Sequence, residues 1–433
     1  MPDWLRDLDI ASPDFLAIVY GLLIACVLVL LVRRPSRRRM VPVVAAGAVG
    51  VGLGYLACWW TGDVQNWFGI TLTPITRMWV AFAFGAVAIA FVNLWRSRWW
   101  RKAVALACIP LAVIAAGAGI NVDFGMYSTL GQAAGDTGYH LGALAHETGI
   151  TGEGDRAVVD PADWAPPAGM PLRGEVFTKK IPGTVSHFAA RAADIYLPPA
   201  ALVPHPPVLP VLIMMSGQPG NPSNMFESGH VNRLLDAFAR EHHGLAPIVV
   251  SPDQLGEPQA NPMCVDSPLG DSATYITVDV VNWIKAHLQV GTSPAEWGVG
   301  GFSQGATCSV QFLAGYPRLF GSAIAVSSEL EPTIGTSTVA TAFGGSAAAY
   351  KAATPLSLFS ANAPFHHDLI VFGVGQRDAK YRAFATPLEE AAAHAGMSTR
   401  LIVSPGTAHD WNTVRYCLKR GMPAILAHLG LDR

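Results

Sequence analysis

Apolar residues fall into two regimes along the chain. Before residue 125 they form four long runs, at residues 15–32, 41–60, 75–95 and 103–120. Each is close to the ~20 residues that carry a helix across a bilayer. Beyond residue 171 the runs shorten and alternate with amphipathic stretches. Strands are predicted at 193–197, 208–215, 247–251, 297–302, 322–326, 369–374 and 400–403. Helices are predicted at 231–241, 273–288, 304–314, 382–395 and 414–428. Strands that alternate with helices imply βαβ units and a mostly parallel sheet flanked by helices. The near-continuous apolar run at 208–215 suits a strand buried on both faces. The expected organisation is a transmembrane region over 1–122, a linker over 123–170 and an α/β domain over 171–433. The linker is rich in Gly, Ala, Asp and Pro, and an amphipathic helix near Gln132 to Leu144 could touch the membrane surface.

Charge decides which way the spans point. Arg33, Arg34, Arg37, Arg38 and Arg39 separate the first two spans, and Arg96, Arg98, Arg101 and Lys102 separate the last two. By the positive-inside rule both loops are cytoplasmic. The N-terminal tail carries Asp3, Asp7, Asp9 and Asp14 against Arg6, and the loop at 61–74 carries Asp63 with no Lys or Arg. Both belong outside, so the chain beyond the fourth span is expected to be extracytoplasmic. The first span ends in arginines rather than in the small residues of a signal-peptidase site, so it reads as a retained span. Gly47, Gly50, Gly52 and Gly54 suit close helix packing. The span centres hold no Asp, Glu, Lys or His, which a transporter or proton pump would need. The helices read as an anchor.

Composition adds mostly exclusions. The 433 residues are 51% hydrophobic and 14% charged, and 29 Lys+Arg nearly balance 31 Asp+Glu, so no nucleic-acid partner is indicated. Six cysteines without a C-x-x-C spacing give no zinc or redox motif. The pairs His242-His243 and His366-His367 lack a carboxylate-rich frame, and no cofactor or metal is expected. Oligomeric state is not readable.

The candidate chemistry lies in Gly301-Phe302-Ser303-Gln304-Gly305, between a predicted strand and a predicted helix. In a G-x-S-x-G elbow a strained turn lifts the serine hydroxyl clear of the sheet. A serine needs a base to take its proton. His409, in the loop after the last strand, is the candidate. Asp378, after the strand at 369–374, is the candidate carboxylate that orients it, with Glu329 and Glu331 as runners-up. The chain order Ser, Asp, His is that of α/β-hydrolases. Asp410 reads as a cap of the following helix. Two N–H donors for an oxyanion are expected from the backbone of Gln304 and from Gln218, in the loop Ser216-Gly217-Gln218-Pro219-Gly220. A chance Gly/Ser turn at 301–305, a helix-capping Asp378 and a plain Gly/Pro turn at 216–222 are the bland readings of the same residues.

These motifs, together with Ile195-Tyr196-Leu197-Pro198-Pro199 and Ala408-His409-Asp410-Trp411, resemble the putative-esterase family of α/β-hydrolases, which includes esterase D and the mycolyltransferases of actinobacterial envelopes. The resemblance covers residues from about Arg173 to the C-terminus. It implies an α/β-hydrolase fold, a triad at Ser303, Asp378 and His409, and an acyl-enzyme mechanism. Two positions depart from the family pattern: Ser216 stands where a histidine commonly precedes the oxyanion glycine, and Ala306 where a second glycine is common. With the membrane region, the chain also resembles membrane-anchored actinobacterial esterases of envelope lipids. The expected substrate is a lipid or cell-envelope ester, with aminoacylated lipids included. An acyltransferase of the mycolyltransferase type and a non-catalytic binding module are the alternatives. An oxidising location would permit a disulfide between Cys264 and Cys308, with two free buried thiols as the other reading. Cys417 is then left over, and Cys26, Cys58 and Cys108 fall in spans.

Overall fold

The computed structural model describes residues 1–432 except 33–36, 66, 68, 96, 137–138 and 142–156. The chain forms two compact units, one chiefly of Met1–Thr137, the other of Gly138–His409 and Thr413–Arg433.

The first unit is built on α1 (Pro13–Leu31), α2 (Arg37–Cys58, continued by a π-helical turn Trp59–Val64), α3 (Pro74–Leu94) and α4 (Trp99–Phe124). The starts of α1 and α3 follow from sequence. Ser12 and Thr73 accept from the N–H groups of Phe15 and Thr76, and each precedes a proline at the first helical position. All four helices are long and apolar enough to cross a membrane. Small residues let them approach closely. A Cβ on Gly50 would lie 2.6 Å from the Phe84 carbonyl oxygen, and one on Gly54 would lie 2.6 Å from Ala81 Cα, so α2 and α3 touch backbone to backbone. Ala86, Ala90, Ala105, Cys108 and Ala112 fill the centre, while Ile18, Leu22, Ile24 and Leu28 of α1 point outward. The Arg101 guanidinium donates to the carbonyls of Val29, Leu30 and Val32, closing the C-terminal end of α1. The amphipathic helix expected at 132–144 is not formed over its described residues: a short helix, Leu130–Ala133, stops at a turn at Ala134–Gly135, and His140–Leu141 belong to a strand, while 137–138 and 142–144 lie outside the described residues.

The second unit is an α/β layer structure. Its strands are β1 (His140–Leu141), β2 (Glu175–Lys179), β3 (Ala193–Leu197), β4 (Val211–Met215), β5 (Ile248–Ser251), β6 (Trp297–Phe302), β7 (Ser322–Val326), β8 (Leu369–Gly375) and β9 (Ser398–Ser404). They form one sheet in the order β1-β2-β3-β5-β4-β6-β7-β8-β9. The pairings from β5 through β9 are all parallel, whereas β3 is antiparallel to both β2 and β5. The expected parallel sheet is therefore present, with an antiparallel edge. Strands β4 to β7 are buried at every position, as strands covered on both faces must be. Each fully buried Val, Leu or Ile contributes about 1.5–3 kcal/mol.

The helices that matter for the site are α5 (Val231–Glu241), α6 (residues 272–287, with a π-helical middle at Tyr275–Val280), α7 (Gln304–Gly315), α8 (Ala379–His394) and α9 (Trp411–His428). Several boundaries differ from expectation by one to three residues, the last helix beginning at Trp411 and the last strand at Ser398 among them, and two have clear reasons. The strand expected from 208 begins at Val211, because Pro210 has no N–H for the ladder. Helix α8 begins three residues early, because the Asp378 side chain accepts from Tyr381 N–H and caps it.

Candidate active site

Ser303 ends β6 and opens α7. Its own N–H still donates to Val326 O at 2.9 Å, so the sheet ladder holds the serine until the chain turns. The turn is sharp: Ser303 sits at φ 55°, ψ −115°, which L-residues rarely adopt. Glycines flank it because nothing larger fits. A Cβ on Gly301 would stand 2.5 Å from the Met215 carbonyl oxygen, and one on Gly305 would collide with the carbonyl oxygens of Met215 and Ser216. These obstacles are backbone, which cannot swing away.

His409 reaches the serine from the loop after β9. Its Nε2 lies 2.9 Å from Ser303 Oγ, and its Nδ1 lies 2.9 Å from Asp378 Oδ2. The three side chains are nearly sealed, with Ser303 9% exposed and the His409 and Asp378 side chains 10% and 7%. The two loops are stitched together: Gln376 N–H donates to Ser404 O and Arg377 N–H to Thr407 O. Thr413 Oγ1 also donates to Ala408 O at 2.6 Å. The side chains of Ser303, His409 and Asp378 therefore stand in one hydrogen-bonded row. A carboxylate on Nδ1 favours the tautomer that carries its proton there and leaves Nε2 free to accept.

The runner-up carboxylates lie off this row. Glu329 pairs with Lys380 at 3.9 Å, its N–H donates to Thr307 Oγ1, and burial pushes its carboxyl up to about 7. Glu331 accepts from the Tyr350 hydroxyl. Gly217 comes close to the nucleophile, since a Cβ on it would be 3.2 Å from Ser303 Cβ, so the loop after β4 runs beside the serine. In that loop the exposed Gln218 side chain donates to Gln259 O at 2.7 Å. The other expected donor, Gln304, is the first residue of α7, where a helix leaves its N–H groups without intrahelical partners. Its side chain accepts from Gln254, which also donates to Ser216 O, and donates to Asn261 Oδ1 at 3.2 Å. One buried network thus joins the loops after β4 and β5 to the elbow.

Cys264 and Cys308 are bonded, with Cα atoms 5.4 Å apart, which ties the loop after β5 to the second turn of α7. Cys417 is buried and free. Among the described residues no three His, Cys, Asp or Glu side chains gather as metal ligands.

Sequence reasoning passed over the aromatic setting of the imidazole. The Tyr381 ring lies 4.1 Å from the His409 ring at 31°, and the Phe302 ring lies 4.8 Å away at 32°. Phe302 was visible as the second residue of the elbow. Tyr381 carries no motif, because an aromatic in the first turn of a helix ordinarily reads as core.

A mostly parallel sheet flanked by helices, with a strained serine at a strand-to-helix turn, makes this an α/β-hydrolase fold. A family model described as "Putative esterase" matches residues 189–409, half of the chain, and the protein belongs to that esterase family of hydrolases. The chain is 34% identical over 256 residues to an uncharacterized protein of Corynebacterium glutamicum, a match that takes in 58% of this chain and 60% of that one. The match therefore spans less than two thirds of that relative's length. Among solved structures, a ferulic acid esterase superposes with a TM-score of 0.50 at 17% identity, over 59% of this chain and 98% of its own. An S-formylglutathione hydrolase from Agrobacterium tumefaciens gives a TM-score of 0.50 at 19% identity, over 60% and 97%. At such identities the likeness is one of fold.

Proposed function

We propose that the chain is a membrane-anchored serine esterase in which Ser303, His409 and Asp378 act as a triad. The observation that carries this reading is the pair of 2.9 Å contacts from the two ring nitrogens of His409, one to the serine and one to the carboxylate. His409 Nε2 takes the proton of Ser303 as Oγ attacks the ester carbonyl, and Asp378 stabilises the imidazolium. The backbone N–H groups of Gln304 and Gln218 receive the oxyanion. His409 returns the proton to the departing oxygen, which leaves an acyl-enzyme at Ser303. Water, activated by the same imidazole, then releases the acid.

The four apolar helices span the cell membrane, with the arginine-rich loops on the cytoplasmic side and the esterase unit outside. An extracytoplasmic location also suits the bonded Cys264 and Cys308. Anchoring confines the site to the bilayer surface and raises the effective concentration of substrates held there. The substrate class proposed is an ester of a lipid or of the cell envelope, aminoacylated lipids among them.

The test is to reconstitute the full chain in vesicles that contain an aminoacyl or acyl ester lipid and to analyse products with and without an acceptor alcohol. Free acid released at equal rates in both cases is expected. Acyl transfer to the alcohol in preference to water would make the protein a transferase. No turnover of any lipid ester, with small soluble esters hydrolysed well, would remove the lipid assignment.

A further inference from the structure

A single side-chain amide stands between the two segments expected to receive the oxyanion. Gln254 follows β5 and is fully buried. Its Nε2 donates to Ser216 O at 2.7 Å, in the loop after β4, and to Gln304 Oε1 at 2.9 Å, on the residue after the nucleophile. Backbone groups force the direction of this row. Ser216 O can only accept, so Gln254 presents its NH2 there, and the second proton of that group goes to Gln304 Oε1. Gln304 must then donate through Nε2 to Asn261 Oδ1, at 3.2 Å. That atom also accepts from Met263 N–H at 3.0 Å, and Asn261 Nδ2 donates to Thr333 O. Reversing any one amide would set donor against donor or acceptor against acceptor. Gln254 is also braced from its own backbone: the Arg191 guanidinium grips the Asp253 carboxylate at both oxygens, and Asp253 Oδ1 accepts from Leu255 N–H. Yet Gln254 Oε1 is buried without a partner among the described residues. An unmet buried acceptor costs stability, so stability alone does not explain an amide at this position.

We propose that Gln254 is a positioning residue of the oxyanion hole: its amide holds the loop after β4 and the start of α7 at one fixed spacing. This rests on the serine-esterase reading above. Holding Ser216 O fixes the plane of the Ser216–Gly217 peptide, one peptide before the Gln218 N–H. Holding the Gln304 side chain fixes the residue that carries the other donor. Gln254 acts through these two segments and takes no proton in the cycle. Oxyanion donors are effective when they already stand where charge will develop, and the ground-state ester carries little charge on its carbonyl oxygen. Loosening their spacing should therefore lower kcat and leave KM nearly unchanged.

The experiment compares the detergent-solubilised full-length wild type with Gln254→Met and Gln304→Met. The first keeps the length of the side chain without its amide, and the second keeps the backbone N–H but cuts the row at its middle. The thermal transition of each is read first, so that rates are counted per folded molecule. Hydrolysis of p-nitrophenyl butyrate and inhibition by an alkyl trifluoromethyl ketone are then measured. In the inhibitor adduct Ser303 Oγ bonds to the ketone carbon, the serine proton passes to His409 Nε2, and the ketone oxygen becomes an oxyanion. Gln254→Met should lose about 10- to 100-fold in kcat, less than the loss of an oxyanion donor itself, with KM within about two-fold. The inhibition constant should weaken by a similar factor, because the adduct uses the same donors. Gln304→Met should show the same pattern with a smaller loss, since Ser216 O keeps its donor, and it decides alone if Gln254→Met does not fold. A folded Gln254→Met chain with wild-type kcat and inhibition, or with KM raised and kcat unchanged, overturns the proposal and leaves the esterase reading standing. A wild-type chain that neither hydrolyses the ester nor binds the ketone removes both.

Discussion

Replacing Asp378 by Asn tests the orientation of the proposed base with almost no change of shape. Asp378 makes two contacts that both need an acceptor: Oδ2 faces His409 Nδ1 at 2.9 Å, and Oδ1 faces Tyr381 N–H at 3.4 Å. An asparagine has one acceptor and one donor to share between them. If its oxygen turns to His409, its NH2 opposes the Tyr381 N–H, and the unmade bond costs about 1–3 kcal/mol in so buried a place. If its NH2 turns to His409, the helix cap survives, but Nδ1 must accept and the ring proton moves to Nε2. A protonated Nε2 cannot take the serine proton. The second arrangement is favoured, so the variant should fold with a thermal midpoint near that of the wild type and still lose about 10⁴ in kcat. That factor corresponds to about 5 kcal/mol of transition-state stabilisation. The assay is hydrolysis of a p-nitrophenyl ester by the solubilised chain, with kcat and KM separated. A folded Asp378→Asn variant that keeps more than a tenth of wild-type kcat would refute the reasoning.

Two further predictions concern stability. Cys264 and Cys308 are 44 residues apart, and closing a loop of that length removes enough unfolded-state entropy to stabilise the fold by about 4 kcal/mol. The double variant Cys264→Ser, Cys308→Ser should melt earlier than the oxidised wild type and should not respond to reductant; equal midpoints would count against a formed bond. Burial, with the charge of Asp194 adding, pushes the Glu227 carboxyl up to about 7 from 4.5. Between these values the folded chain binds more protons than the unfolded one, so this group's contribution is complete below about pH 4.5 and is lost as pH rises through 7. Thermal midpoints measured from pH 5 to 8 should fall less steeply in Glu227→Gln than in the wild type, and parallel curves would contradict the assignment.

Legibility in the sequence followed how local the determining physics is. The parallel strands β4 to β8 are short apolar runs buried on both faces, so hydropathy alone finds them. Strand β2, Glu-Val-Phe-Thr-Lys, is only half buried, next to the short edge strand β1, and sends no comparable signal. The short helices Thr338–Ala342, Ala347–Ala352 and Pro355–Asn362 also escaped, since none is long enough to show a period. At the site, the elbow is legible because its strain demands glycines within two residues of the serine. The stacking of Tyr381 on His409 arises from residues 28 positions apart whose loops meet only through the pairing of β8 with β9. No pattern within one segment encodes that meeting. The network of Gln254, Gln304 and Asn261 was hidden for the same reason.

The account rests on Ser303 as a nucleophile activated by His409, and one measurement tests it directly. The folded, full-length chain is treated with a fluorophosphonate and its peptides are read by mass spectrometry. The account predicts a single phosphonyl adduct on the peptide that carries Ser303, absent in Ser303→Ala and strongly slowed in His409→Ala. A folded wild-type chain that acquires no adduct at Ser303, or labels equally fast without His409, contradicts it.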